Sequence, residues 1–167
     1  CVEIARGQIR VGAHLLDVCV DYVGRDGVAD IREVVSRFAS ASTLPLVIDS
    51  TEPAVIRAGL ELIGGRPVVN SVNYEDGDGP SSRFGRIMPL VKEHGTAVIA
   101  LTIDEQGQAR TAVDKVRIAS RLVEGALAKG KSVIFTAPQI NLIDQTVEAF
   151  EAEGITGIGV MQANHPK

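Results

Sequence analysis

Residues 44–72 read LPLVIDSTEPAVIRAGLELIGGRPVVNSV, and this stretch decides the fold. A short apolar run (44–50) is followed by a pattern of helical period (53–63) and then by a second apolar run (66–72). Pro53 suits the first turn of the helix, because that position needs no backbone N–H donor. The two runs are apolar on nearly every side chain, which is typical of strands inside a covered parallel sheet. The stretch therefore predicts a strand–helix–strand unit.

The same alternation of strand and helix continues on both sides of this unit. An opening helix is predicted at about 2–11, and a helix over 28–41 carries its apolar residues on one face. Six strands are predicted, at 13–19, 44–50, 66–72, 96–102, 131–137 and 155–161. The fold class is α/β, with six mostly parallel strands alternating with helices. Two architectures fit this order, a partial (β/α)8 barrel and a Rossmann-like open sheet, and residues 1–167 are expected to form a single α/β domain.

Polar side chains collect where the predicted strands end. They are Asp17, Asp49, Ser50, Asn70, Ser71, Asn73 and Asp104. Both architectures bind ligands at the carboxyl edge of the sheet, so these residues are candidates for a binding site. Some polar residues are needed there in any case to cap the following helices, and capping is the favoured interpretation for Ser50 and Thr51.

Composition and spacing exclude several classes of function. The net charge is -4, and the 17 Lys and Arg are scattered among 21 acids, so no nucleic-acid partner is expected. The three histidines and two cysteines show no metal-ligand spacing, and no metal site is predicted. No phosphate loop and no Ser-His-Asp arrangement occurs, so no catalytic residue is predicted. Without a signal peptide or a long apolar run, we expect a cytoplasmic protein that does not contact a membrane.

The glycine-rich stretch at 74–86 contains three acids, but their spacing does not match a calcium-binding loop. We expect a mobile loop here. Ser81 or Ser82 is predicted to cap the helix that follows.

Three blocks of the chain resemble the pterin-binding barrel domain of cobalamin-dependent methionine synthase. They are GAHLLDVCVDYVGRDGVADIREVV, LPLVIDSTEPAVIRAGLELIGGRPVVNSVNYEDG and HGTAVIALTIDEQGQARTAVDKV, and the likeness runs from residue 1 to about residue 120. The resemblance implies that Asp49 and Asn70 hydrogen-bond the pterin ring of 5-methyltetrahydrofolate, with Asp17 and Asp104 lining the same edge. It also implies that the methyl group passes to a cobalamin on a different domain, so no cofactor is expected within this chain.

From about Ile118 onward the sequence instead resembles the first RecA-like domain of superfamily-two DNA helicases. The likeness is carried by VIFTAPQINLIDQT at 133–146, whose T-A-P stands where the methionine synthase barrel has an acidic residue. The two resemblances overlap inside one helix, at about 113–127. A join in the middle of a helix predicts an engineered or recombined chimera, because natural fusions more often join whole domains through linkers.

Two functions are compatible with this sequence. The first is an α/β scaffold without catalytic activity, and the alternative is residual binding of 5-methyltetrahydrofolate by a methyltransferase fragment. Neither predicts that this chain transfers a methyl group by itself. Open sheet edges in such a scaffold would favour a homodimer.

Overall fold

The computed structural model describes residues 1–127, together with residues 148, 151, 152 and 154. The chain divides into two units, Cys1–Gln106 and Gly107–Lys167. The elements of the first unit are α1 (Val2–Arg10), β1 (Leu16–Cys19), α2 (Gly27–Ala41), β2 (Leu46–Asp49), α3 (Pro53–Leu60), β3 (Val68–Val72), α4 (Arg83–Glu93), β4 (Ala97–Ala100) and β5 (Ile103–Asp104). The second unit contains β6 (Gly107–Gln108) and α5 (Ala112–Leu127).

The first four strands form one parallel sheet in the order β1-β2-β3-β4. Each strand therefore pairs with its predecessor in the chain, and the direction of winding does not reverse. Right-handed crossovers that always advance in one direction place their helices on the same face of the sheet. The four-stranded sheet and the helices between its strands are therefore consistent with a partial (β/α)8 barrel. The reversal in strand order that a Rossmann-like sheet needs does not occur among these four strands.

The hydrophobic core lies between this sheet and its helices. Alternate strand residues supply one side of the core, including Leu16, Val18, Ile48 and Val69. The helices supply the other side, and the predicted apolar face of α2 is confirmed: Ile31, Val35 and Phe38 are buried, while Val28 and Val34 pack against the same cluster. Because every second strand residue faces the helices, the residues between them face the opposite side of the sheet.

Some element boundaries differ from the predicted ones. The helix predicted at 53–63 ends at Leu60, and the N–H groups of Leu62 and Ile63 bond to carbonyls only three residues back. The chain tightens there because it must turn to bring β3 alongside β2. β5 and β6 were not predicted, and the strands predicted at 131–137 and 155–161 lie outside the described residues.

The prediction that a serine caps the helix after the glycine-rich loop is confirmed at Ser82. Its Oγ accepts the N–H of Gly85 at 3.0 Å and donates to the carbonyl of Gly79 at 2.7 Å. The Oδ2 of Asp76 accepts the N–H of Arg83 at 2.8 Å, which gives the loop a second attachment to α4. Mobility of the loop stays a prediction. Among the helices that the structure describes, none is long and apolar enough to cross a membrane.

Candidate functional site

Asp49 and Asn70 lie side by side at the carboxyl edge of the parallel sheet. They are register partners on β2 and β3, and both are half-buried. Their chain neighbours Ile48 and Val69 face the helices, so Asp49 and Asn70 face the opposite side. The sheet is irregular directly after Asn70, where the peptide bond to the next residue is cis and the pairing with β4 skips one residue. The register thus places a carboxylate beside a carboxamide.

β1 contributes a second acidic group to the same face. Cys19 is the register partner of Asp49, and Asp17 precedes Cys19 by two residues, so both side chains share the face of Asp49. Asp17 and Cys19 are exposed. Three of the four predicted site residues, Asp17, Asp49 and Asn70, are therefore brought together, and they are called here the carboxyl-edge group.

The fourth predicted residue, Asp104, lies on β5, outside the four-stranded sheet. The preceding residue, Ile103, accepts the N–H of Tyr74 at 2.9 Å, just beyond the end of β3, so Asp104 lies at the same edge. Asp104 is only 3% exposed, and one carboxylate oxygen accepts the N–H of Gln106 at 3.0 Å. This bond closes a local turn, and the role of Asp104 toward a ligand stays a prediction.

The electrostatic environment of Asp49 is unfavourable for its charge. Burial is the largest cause that raises the pKa of Asp49, and the negative charges of Asp17 and Asp21 raise it further. Desolvation and like charges both disfavour the ionised form of a carboxyl group. A ligand that donates hydrogen bonds to Asp49 would relieve this cost, because such bonds favour the carboxylate.

Asp21 is the residue that sequence reasoning missed. Both of its carboxylate oxygens accept from the Oγ of Ser50 at 2.9 Å, and Oδ2 also accepts the N–H of Thr51 at 3.0 Å. Its only signal in the sequence is its place just after β1, at the edge where the other polar residues collect. The partners are 29 and 30 residues away, so no local pattern reveals the contact.

The expectation that Ser50 or Thr51 caps α3 is corrected by these contacts. The N-cap of α3 is Glu52, which makes no side-chain capping bond. The Oγ of Ser50 accepts the N–H of Glu52 at 3.0 Å while it donates to Asp21. The Ser50 hydroxyl therefore connects the loop after β1 to the turn that precedes α3.

Other parts of the described chain are less suited to a ligand. Among the described residues, no group of three or more His, Cys, Asp and Glu side chains is placed to hold a metal ion. An open concavity of about 560 Å³ lies between α1 and the end of α2, and its lining includes Arg6, Arg10, Ser40 and Thr43. The end of α2 leads into β2, so this concavity lies at the amino edge, away from the carboxyl-edge group.

The raised pKa of Asp49 predicts a pH-dependent stability. Asp49→Asn is expected to raise the melting temperature at neutral pH, because the folded wild-type protein carries the cost of ionising Asp49. A raised folded-state pKa means that stability falls as the pH rises from the ordinary carboxyl value of 3.8 through the raised value. The gap between variant and wild type should therefore widen over that interval and then stay constant, as thermal unfolding between about pH 3 and pH 8 will show.

Glu93→Gln provides the matched control for this prediction. Glu93 is an exposed carboxylate at the end of α4, where it pairs with Arg57 at 3.4 Å. Glu93→Gln leaves Asp49 in place, so the stability of this control should fall with rising pH as that of the wild type does. Parallel pH profiles for Asp49→Asn and wild type would contradict the prediction.

Most of this chain is similar to known proteins of one kind. The pterin binding enzyme family matches residues 1–134. A methionine synthase of Mycobacterium tuberculosis (strain ATCC 25618 / H37Rv) is 68% identical over 123 residues, which cover 74% of this chain and 10% of the relative. A methionine synthase of Mycobacterium leprae (strain TN) is 65% identical over the same shares. The chain thus spans about a tenth of the length of these curated relatives.

Proposed function

This chain belongs to the pterin binding enzyme family, and we propose that its carboxyl-edge group binds the pterin ring of 5-methyltetrahydrofolate. The observation that carries the proposal is the register pairing of Asp49 with Asn70 on the face opposite the helices. The similarity to two methionine synthases supports a folate of that class as the ligand.

The chemistry of the paired side chains fits the edge of an aminopterin. That edge presents N–H donors beside a carbonyl oxygen. An ionised carboxylate accepts two hydrogen bonds, and a carboxamide both donates and accepts, so Asp49 and Asn70 together match the pattern. Asp17 adds a further acceptor on the same face. Because ionised Asp49 is the form that accepts both bonds, affinity should weaken at acid pH, below the raised pKa of Asp49.

We propose binding without turnover by this chain alone. Methyl transfer requires an acceptor, and the resemblance to methionine synthase implies a cobalamin carried on a different domain. The chain spans about a tenth of its relatives, which leaves room in them for such a domain. The residues of the carboxyl-edge group orient the folate and take no part in breaking a bond.

Titration calorimetry with 5-methyltetrahydrofolate tests the proposal. The wild-type chain is expected to bind with a Kd of about micromolar order, and Asp49→Ala or Asn70→Ala should weaken binding by roughly 10-fold to 100-fold. The loss is expected because each variant leaves a polar group of the buried ligand edge without a partner. Glu93→Gln, whose carboxylate lies outside the carboxyl-edge group, should bind as the wild type does. No heat at about millimolar ligand would leave the non-binding scaffold as the function of this chain.

We also propose that the chain is a chimera whose last part derives from a helicase-like segment. Two observations support it: the helicase resemblance at 133–146, and a similarity to the methionine synthases that covers 74% of this chain. One uninterrupted natural gene encoding the whole chain would contradict an engineered origin. A homodimer and the lack of nucleic-acid binding stay predictions.

A further inference from the structure

Asp21 links the loop after β1 to the turn after β2. Its carboxylate accepts the Ser50 hydroxyl on both oxygens at 2.9 Å and the Thr51 N–H at 3.0 Å. The hydroxyl of Ser50 in turn accepts the N–H of Glu52 at 3.0 Å, at the start of α3. Ser50 is only 3% exposed, so water has little access to compete for its hydroxyl.

This link acts on the backbone that carries Asp49. Asp49 is the last residue of β2 and is followed at once by Ser50 and Thr51. Charge-assisted hydrogen bonds such as those of Asp21 are shorter and stronger than neutral ones, so they restrict rotation of the peptide units that they hold. Loss of the carboxylate would leave a buried hydroxyl donor unsatisfied and free the turn to rearrange.

We propose that Asp21 is a positioning residue: it holds the Ser50–Thr51 turn and so orients the Asp49 carboxylate toward the pterin. The inference rests on the proposed pterin site and adds a residue from outside the carboxyl-edge group. Asp21 acts through Asp49 and does not itself contact the ligand.

Asp21 also contributes negative charge to the surroundings of Asp49. Burial and Asp17 are larger causes of the raised pKa of Asp49, and Asp21 is the third. The register partners of Asp49 are Cys19 on β1 and the uncharged Asn70 on β3. Removing the charge of Asp21 should therefore lower the pKa of Asp49, whether or not the turn stays in place.

Two substitutions separate positioning from charge. Asp21→Asn keeps an oxygen acceptor for the turn but removes the charge, whereas Asp21→Ala removes both. Binding of 5-methyltetrahydrofolate to the full chain is measured across pH, and the Asp49 carboxyl carbon is followed by NMR in the ligand-free protein. Glu93→Gln is the control for loss of a carboxylate elsewhere.

Asp21→Asn is expected to bind within about threefold of wild type at neutral pH, with the Asp49 titration moved to lower pH. Asp21→Ala should move the titration in the same direction and also weaken binding by about tenfold or more at every pH. Equal binding by wild type and Asp21→Ala would overturn the positioning role. An Asp49 titration that does not move in Asp21→Asn would overturn the contribution of the Asp21 charge to the pKa of Asp49.

The ligand-free measurements keep this inference separate from the proposed function. If the wild-type chain binds no pterin, the proposed function fails, whereas the amide resonances of Ser50 and Thr51 still report on the link. Displaced amide resonances in Asp21→Ala would support the proposal that Asp21 holds the Ser50–Thr51 turn, and unchanged resonances would overturn that proposal. Should Asp21→Ala not fold, Ser50→Ala removes the hydroxyl that bonds to Asp21 and keeps the Asp21 charge. This variant should displace the amide resonance of Thr51 and weaken binding of 5-methyltetrahydrofolate. If Ser50→Ala changes neither the resonance nor the binding, the inference is overturned.

Discussion

Ile48→Ala is expected to lower the free energy of unfolding by about 3 kcal/mol. Ile48 is fully buried at 0% exposure, on the face of β2 that packs against the helices. It lies in register between Val18 of β1 and Val69 of β3, so strands flank it on both sides. Its Cδ1 would be 3.1 Å from a Cβ built on Gly59, which shows how closely α3 approaches it.

The expected loss is large because the surroundings cannot close over the missing atoms. Two hydrogen-bonded strands and a packed helix hold the walls of the cavity in place, so the variant loses both transfer free energy and contacts. Urea unfolding followed by circular dichroism measures the effect. Ile99→Ala is the matched control on β4, where Ile99 is 39% exposed, and it should cost less than about 1.5 kcal/mol. Equal losses at the two sites would contradict this account of the core.

Gly85→Ala is expected to destabilise the fold by about 2 kcal/mol, although it adds a better helix former to α4. A Cβ at Gly85 would lie 2.1 Å from the carbonyl oxygen of Gly79 and 3.0 Å from the Cα of Pro80. These are backbone atoms, so no rotation of a side chain relieves the overlap. The loop or the start of α4 must move, and movement weakens the capping bond from the Gly85 N–H to Ser82.

Gly7→Ala tests the same change where there is room for it. Gly7 lies within α1, and the nearest atom to its added Cβ is a flexible Arg10 side-chain nitrogen at 3.8 Å. This variant should be more stable than wild type by about 0.5–1 kcal/mol, through helix propensity alone. Thermal unfolding of the two variants should therefore give shifts of opposite sign. Stabilisation by Gly85→Ala would contradict the prediction, because it would show that the loop at Gly79 and Pro80 moves aside at little cost.

The sequence predicted the described elements well where one local period dominates. The run that forms β2 is apolar on consecutive residues, and the apolar face of α2 repeats at about 3.6 residues. Both elements were found close to their predicted positions. The end of α3 was misplaced because residues 61–63 carry good helix formers, while the chain must turn there to pair β3 with β2. β5 was missed because two residues are too few to show a period.

The candidate site was predictable in part. Asp17, Asp49 and Asn70 could be expected at one edge, since the carboxyl ends of parallel strands meet there. Their resemblance to a pterin site then singled them out. The capping assignment of Ser50 was wrong because the N-cap of α3 is Glu52, and the Ser50 hydroxyl donates instead to Asp21, 29 residues away. A contact at that separation depends on how two strands align, which no short window of sequence contains.

The sequence by itself determined the approximate positions of β1–β4 and α1–α3, because these depend mainly on neighbours within a few residues. It also placed polar residues at the ends of these strands. Only the tertiary structure decided that the helices of the described sheet share one face, since this follows from strand order rather than from period. It also decided that Asp49 pairs with Asn70 and that Asp21 bonds to Ser50 and Thr51, the two residues after Asp49. Strand register and burial arise only when the strands assemble into a sheet. Register determines the face on which Asp49 lies, and burial is the largest cause that raises its pKa.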